Sequence, residues 1–196
     1  LAGPVLASAV ILKKDHNIEG LKDSKKLSPK KRLSLFAEIK SNSVSIGIGC
    51  VGIDIIDKIN IKNATLLAMK YALEDLSIKP DKALIDGLDR PKVGINTKCI
   101  VKGDSKIDSI MAASIIAKVT RDQIMVHYSK IFFEYGFEKN KGYGTKQHLM
   151  ALSNFMSTPI HRMSFQPVKR YLPTIKWLKL NNRLRWMAQK ITALYL

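Results

Sequence analysis

An α/β domain, one central mixed sheet flanked by helices, is the fold class this sequence predicts. Three observations carry it. Short apolar or β-branched runs at 4–12, 44–51, 83–86 and 98–101 read as strands. Longer stretches with helical spacing lie among them, and strands that alternate with helices favour an α/β layer architecture. The breakers fall at the joints: Ser28-Pro29 pairs a cap with proline at the first helical position, and Pro80 ends a helix ahead of a strand.

The first run, 4–12, is apolar throughout and reads as a buried strand, with 13–17 a turn into a short return strand. A polar loop with two adjacent lysines, Leu21-Lys-Asp-Ser-Lys-Lys-Leu27, precedes the helix that Ser28 starts. That helix runs to about Lys40, with Leu33, Phe36, Ala37 and Ile39 as its buried side. The strand at 44–51 alternates, 54–59 forms one helical turn, and Asn63 or Thr65 starts a helix to Leu76. A short interior strand at 83–86, a loop at 87–94 and a strand at 98–101 follow. A Gly-Asp turn then leads into a long helix that Asp108 or Ser109 caps and that reaches about Tyr128. Ala112, Ala113, Ser114 and Ala117 let this helix lie close to a sheet, and Met111, Ile115, Ile116 and Val119 widen its apolar face. Residues 134–145 form a loop rich in glycine and aromatics, 145–155 a helix, 158–168 an irregular segment, and 174–196 a helical end.

The chain has 196 residues, enough for one domain with a real core plus an appendage. Its formal net charge of +17 favours a polyanionic partner, nucleic acid before an anionic membrane, over the compositional drift of a Lys-, Ile- and Asn-rich proteome. From Lys139 to the last residue there are eleven Lys or Arg and no Asp or Glu, a one-sided charge that favours a nucleic-acid face over a merely solvated one. Cys50 and Cys99 are far apart in apolar surroundings, which excludes a disulfide framework or zinc spacing and makes a reducing cytoplasm the simplest location. No apolar run reaches the roughly 18 residues of a membrane span. The apolar start lacks the basic region of a signal sequence, and Leu rather than Met at position 1 leads us to expect absent chain upstream.

Two acids sit where chemistry is often placed. Asp86 ends Ala83-Leu-Ile-Asp-Gly87, and Asp104 lies in the turn between the 98–101 strand and the long helix. Two carboxylates at the ends of two strands are the beginning of a hard-metal site, although Asp beside Gly is also an ordinary turn former. Asp122 is expected to pair with Lys118 one turn back. His16, His127, His148 and His161 form no spaced ligand set, and there is no phosphate-binding lysine loop, nucleophile elbow or dinucleotide fingerprint. Tyr143, between glycines, reads either as an exposed stacking platform or as a loop tyrosine packed on its own domain.

Several motifs occur together and in order: Leu1-Ala-Gly-Pro-Val5, Leu21-Lys-Asp-Ser-Lys-Lys-Leu27, Leu84-Ile-Asp-Gly87, Lys102-Gly-Asp104, Ala112-Ala-Ser-Ile-Ile-Ala-Lys-Val-Thr-Arg-Asp122, Lys141-Gly-Tyr-Gly-Thr145 and His161-Arg-Met-Ser-Phe-Gln-Pro-Val168. The set resembles bacterial ribonuclease HII, the type 2 ribonuclease H. The resemblance covers a catalytic domain over 1–168 and implies a ribonuclease H-like fold with a helical C-terminal part. The basic, helical extension over 169–196 lies outside it and either packs as a terminal helix or adds duplex contacts. The resemblance implies endonucleolytic cleavage of RNA in RNA–DNA hybrids and at ribonucleotides embedded in duplex DNA, by a cytoplasmic monomer that needs Mn²⁺ or Mg²⁺. Asp86 and Asp104 match two of the family's four metal-binding carboxylates. Tyr143 matches the tyrosine that packs on the sugar beside the ribonucleotide, and Ser24, Lys25 and Lys26 lie in the substrate-contacting loop.

One departure stands out. In the family an Asp-Glu pair followed by Ala-Gly-Arg-Gly immediately precedes Leu-Ala-Gly-Pro and supplies the other two carboxylates, whereas this sequence begins at Leu1. Two readings compete: a metal-dependent nuclease whose first residues precede Leu1, or a basic nucleic-acid-binding module that does not cut. Asp86, Asp104 and Tyr143 are what an enzyme needs, and they favour the first.

Overall fold

The computed structural model describes residues 1–22, 24–172, 186–187 and 189–195. Four strands and six helices are defined among them. The chain divides into two compact units, one made of Leu1–Val5, Val51–Ala64 and Thr120–Leu196, the other of Leu6–Cys50 and Thr65–Val119.

In the second unit β1 (Val5–Leu12) pairs with β2 (Ser43–Val51), and β3 (Lys82–Asp86) pairs with β4 (Asn96–Ile100) in parallel. The α/β class is as expected, with the ladder split into these two pairs. The expected buried character of β1 is only half met, since all eight of its residues are half-buried. The reason is a cavity of about 1140 Å³ lined by β1 together with β3, Asp86 and the start of α3 (Asp108–Ser129).

The core of this unit comes from α1 (Pro29–Ser41) and α3. Leu35 and Ile39 meet Ala112, Ile115, Ile116 and Val119, and Val10, Leu12, Phe36, Ile46 and Ile48 pack around them. Ser28 caps α1 as expected, its Oγ accepting from the Lys31 N–H at 3.2 Å. The buried side of α1 differs from the sequence reading: Leu33 is 53% exposed and Ala37 is exposed. The Leu35/Ile39 pair, one turn apart, faces α3 instead. The return strand expected after residue 17 does not form. Lys13 is held to the end of α1, its N–H bonded to the Asn42 carbonyl at 2.9 Å and its ammonium to the Ser41 carbonyl at 2.7 Å.

β2 has two unlike faces because its side chains alternate. Ile46 and Ile48 join the core, while Gly47 and Gly49 are pressed against α2 (Ile53–Glu74). A Cβ at Gly49 would fall on the Ala68 carbonyl oxygen, and one at Gly47 on that of Ala72. The Asp75 carboxylate then accepts the Ile48 N–H at 2.8 Å, and the Ser45 and Ser77 hydroxyls meet at 3.0 Å. Strand and helix backbones are thus in direct contact, an arrangement only small residues allow.

α2 begins ten or more residues before either start the sequence suggested, with a kink at Asn60 (φ 67°). The Asn60 Oδ1 accepts the Asn63 N–H at 3.1 Å, so Asn60 caps the second stretch and joins the predicted turn to the predicted helix.

The first unit contains α4 (Phe137–Asn140), α5 (Lys146–Phe155) and α6 (Gln166–Lys169), the last closing the segment predicted to be irregular. Thr145 caps α5, its Oγ1 accepting the His148 N–H at 3.3 Å. Met125, Tyr128, Tyr135, Phe137, Leu152 and Ile160 are buried here. Much of the predicted helical end lies outside the described residues. Of that end, 186–187 and 189–193 are helical, Ile191 is buried, and the Thr192 hydroxyl meets the Tyr128 hydroxyl at 2.7 Å. Among the described residues no helix is long and apolar enough to cross a membrane.

The packing of β2 on α2 gives a direct test. Gly49→Ala forces backbone apart and should lower unfolding free energy by about 3 kcal/mol or more, the upper range for an overpacked site. Chemical denaturation measures this, and a loss below about 0.5 kcal/mol would contradict the contact.

Candidate active site

β3 and β4 run parallel in a fixed register, Asp86 opposite Ile100, and this places the two acids. The Gly87 N–H bonds the Ile100 carbonyl at 3.0 Å, extending the ladder one step beyond Asp86. Gly87 has φ +100° and Lys102 sits in the left-handed region at φ 55°, so both strands turn sharply at the same end. The chain after β4 forms a single 3-10 turn, Gly103–Ser105, before α3 starts. The Gly103 N–H donates to Asp86 Oδ1 at 2.8 Å. That bond draws the Asp86 carboxylate onto the residue next to Asp104.

Glycine at 103 lets the Ile110 side chain lie close behind this bond. A Cβ there would lie 2.6 Å from Ile110 Cδ1 and 3.5 Å from Asp86 Oδ1. The Asp86 residue is exposed, whereas the Asp104 side chain retains only 15% of its exposure. The Lys25 ammonium stands 3.7 Å from Asp104 Oδ2. Lys25 is carried by the turn Ser24–Lys26, which Arg32 of α1 anchors with NH1 bonds to the Ser24 and Leu27 carbonyls at 2.9 and 2.5 Å. Ser24 is buried and shapes the turn, while Lys25 and Lys26 are exposed.

Asp86, Asp104 and Lys25 are therefore brought together, with Ser24 and Lys26 on the same turn. Oxygen-only donors of this kind suit a hard divalent cation, and neither His nor Cys accompanies them. Among the described residues no group of three or more His, Cys, Asp or Glu side chains gathers into a metal cage.

Tyr143 belongs to the other unit and is 58% exposed. Its loop is built by buried polar bonds. Asn140 donates from Nδ2 to the Tyr135 carbonyl at 2.6 Å and accepts the Gly142 N–H on Oδ1 at 2.8 Å. Gly142, at φ +81°, lies against the Ala2 carbonyl, which is 2.5 Å from where a Cβ would be. The Ala2 N–H and the Leu1 ammonium both donate to the Gly142 carbonyl, at 3.2 and 2.7 Å. Arg121 fans across the same region from α3: Nε to the Pro4 carbonyl at 3.2 Å, NH1 to that of Lys141 at 3.0 Å and NH2 to that of Ala2 at 3.2 Å. Its guanidinium also stands 5.4 Å from the centre of the Tyr143 ring. Arg162 adds bonds to the Gly3 and Pro4 carbonyls at 3.0 and 3.4 Å. Burial, with repulsion from Arg121 next, lowers the Arg162 pKa to about 10, so the side chain stays charged at neutral pH.

Sequence reasoning missed Arg32, Arg121, Arg162 and Asn140, as well as Asp57, whose carboxylate accepts the Met163 and Ser164 N–H groups at 2.9 Å each. Arg121 and Arg162 lie inside recognised motifs, but their carbonyl acceptors are remote in sequence and carry no side-chain signature.

The family model for Ribonuclease HII matches residues 1–168. Among curated relatives, ribonuclease HII of Clostridioides difficile is 54% identical over 165 residues, covering 84% of this chain and 65% of that protein. The chain thus spans somewhat under two thirds of that relative's length. The crystal structure of ribonuclease H2 from Pyrococcus horikoshii is similar at TM-score 0.69 and 23% identity, over 86% of this chain and 97% of that one. Bst-RNase HIII, solved in complex with Mn²⁺, is similar at TM-score 0.62 and 17% identity, over 93% of this chain and 66% of that one. The two structural likenesses establish a ribonuclease H-like fold.

Arg121→Ala removes the fork that serves three carbonyls and should cost about 3 kcal/mol of stability, the scale of charged hydrogen bonds lost from a buried site. Arg121→Lys should recover only part, because an ammonium cannot reproduce the planar fork. Urea titration measures both, and full recovery by lysine would contradict the geometry.

Proposed function

The chain belongs to the ribonuclease HII family, and we propose that it is a metal-dependent endonuclease that hydrolyses the RNA strand of RNA–DNA hybrids and ribonucleotides embedded in duplex DNA. The observation that supports this reading is the bond from the Gly103 N–H to the Asp86 carboxylate, one residue before Asp104. Asp86 and Asp104 would hold Mn²⁺ or Mg²⁺, which when bound supplies an activated water and offsets charge on the leaving oxygen.

The chain's own residues do the rest. Asp104 is counterbalanced by Lys25 across 3.7 Å. Lys25 and Lys26, exposed on one turn, would meet backbone phosphate. Such contacts give sequence-independent affinity that falls with salt. Ser24 serves by holding the turn that carries the lysines. Tyr143 offers its exposed ring to the sugar beside the ribonucleotide, where the 2′-OH distinguishes RNA from DNA. Arg121 behind the ring and the buried loop bonds around it favour a fixed platform over a mobile one. In this reading 1–168 is the catalytic part, 169–196 a basic extension, and the protein a monomer acting in the cytoplasm.

The test compares the chain from Leu1 with a form carrying Asp-Glu-Ala-Gly-Arg-Gly ahead of it, on a DNA duplex holding one ribonucleotide. The extended form should cleave with Mn²⁺. Asp86→Asn in that form should lose more than about a hundredfold in rate, beyond the 10- to 100-fold typical of residues that only support a ligand, while hybrid binding is retained. Undiminished cleavage by Asp86→Asn would remove Asp86 from the site, and no cleavage by the extended form would leave the protein a binder of nucleic acid.

A further inference from the structure

Two histidines that the proposed chemistry does not use are fully buried in the first unit. His148 on α5 and His161 face each other, Nε2 to Nε2 at 2.9 Å. The far nitrogen of each has a fixed partner. The Thr158 backbone N–H can only donate, and it donates to His161 Nδ1 at 2.9 Å. His148 Nδ1 lies 2.9 Å from the Tyr143 carbonyl, which can only accept. The Thr158 hydroxyl, 2.8 Å from His161 Nδ1, can donate to it as well, and with that Nδ1 an acceptor His161 carries its proton on Nε2 while His148 carries its own on Nδ1. The bonds then run one way, from Thr158 through His161 and His148 to the backbone of Tyr143.

A third proton on His148 Nε2 would face the His161 Nε2–H across 2.9 Å, and one on His161 Nδ1 would face the Thr158 N–H across 2.9 Å. The surroundings also resist charge. The Phe137 ring lies 5.3 and 5.8 Å from the two imidazoles, and the Tyr135 ring 6.2 and 5.1 Å from them. The Tyr135 hydroxyl donates away from the pair, to the Met156 carbonyl at 2.6 Å. Arg162, adjoining His161 in sequence, directs its guanidinium to the Gly3 and Pro4 carbonyls, and the Leu1 ammonium lies on the Gly142 carbonyl. The acids nearest these groups are Glu134, which acts on Tyr135, and Asp57, which acts on Arg162 and spends its carboxylate on the Met163 and Ser164 N–H groups rather than on an imidazole.

We propose that His148 and His161 form a neutral, tautomerically fixed pair that positions Tyr143 for recognition of the ribonucleotide. This rests on the reading of Tyr143 as the sugar contact. The pair acts through the Tyr143 backbone and touches no substrate, so both are positioning residues. Because burial lowers the pKa of both rings, His161 the more, the folded pair stays neutral at pH values where the unfolded chain, with histidines near 6.5, takes up protons. Stability is therefore complete above about pH 6.5 and is lost as pH falls below it toward the lowered folded values.

Two measurements test this. Nitrogen-15 NMR of the full chain across pH 5 to 8 should show His161 protonated only on Nε2 and His148 only on Nδ1, both neutral at pH 6.5. The opposite tautomers, or a charged ring at pH 6.5, would overturn the proposal. Fluorescence anisotropy should then compare a duplex holding one ribonucleotide with the all-DNA duplex. His148→Gln keeps a polar group toward His161 but loses the Tyr143 bond, and should weaken binding of the ribonucleotide duplex by about fivefold, within the range of one lost hydrogen bond. Affinity for all-DNA duplex should stay within about twofold, a difference that general unfolding would not produce. His148→Asn, whose amide can take the place of Nδ1–H, should recover most of the loss. If Tyr143→Ala lowers the preference and His148→Gln does not, the positioning role is wrong and the sugar contact stands. If Tyr143→Ala leaves the preference unchanged, the sugar contact is wrong and the proposal falls with it.

Discussion

The 2.8 Å hydrogen bond from the Gly103 N–H to the Asp86 carboxylate is the constraint on which the acid site depends. Parallel strands place the ends of β3 and β4 side by side, but ladder register alone positions only backbones. The bond converts that register into a side-chain position, because a backbone donor cannot rotate away as a side-chain donor can. Residue 103 has no Cβ, so the Ile110 side chain can pack close against it. Through the bond an exposed carboxylate is held by the residue next to the less exposed Asp104, and preorganised negative charge of this kind is what a divalent cation needs.

The tyrosine loop is fixed by the opposite means, buried charge rather than backbone alone. Arg121 and Arg162 satisfy the carbonyls of Ala2, Gly3, Pro4 and Lys141, groups that would otherwise be left without partners in an irregular stretch. Two neighbouring guanidiniums repel, and burial penalises each, yet carbonyl dipoles surround them and Asp57 lies among the charges that favour the charged form of Arg162. The structure carries that cost in the loop that presents Tyr143. The neutral histidine pair fits the same logic, for it supplies a directed bond to Tyr143 without adding a third buried cation.

What was legible in the sequence was local. Ser28 before Pro29 announced its cap, because a cap bonds a backbone group three residues on. Asp86 and Asp104 stood out through their glycine neighbours at strand ends, and the motifs around them identified the family. The bond joining those two sites was not legible, since it spans 17 residues and its donor has no side chain. The clamps are further still, with Arg121 reaching 117 residues and Arg162 reaching 159 to carbonyls that any residue carries. The buried side of α1 was misjudged because Leu33, Leu35 and Ile39 are all apolar, and only docking against α3 selects the pair that faces inward. The histidines were dismissed for lacking ligand spacing, which was sound as to metal but silent as to a bond between them.

Whether Asp86 and Asp104 together form a divalent-cation site is decided by anomalous diffraction at the manganese edge, from crystals soaked in Mn²⁺. The expected result is an anomalous peak within about 2.5 Å of a carboxylate oxygen of each residue, the reach of a hard-cation bond to oxygen. Ordered Mn²⁺ elsewhere, with both carboxylates uncoordinated and the Asp104–Lys25 pairing unchanged, would contradict it.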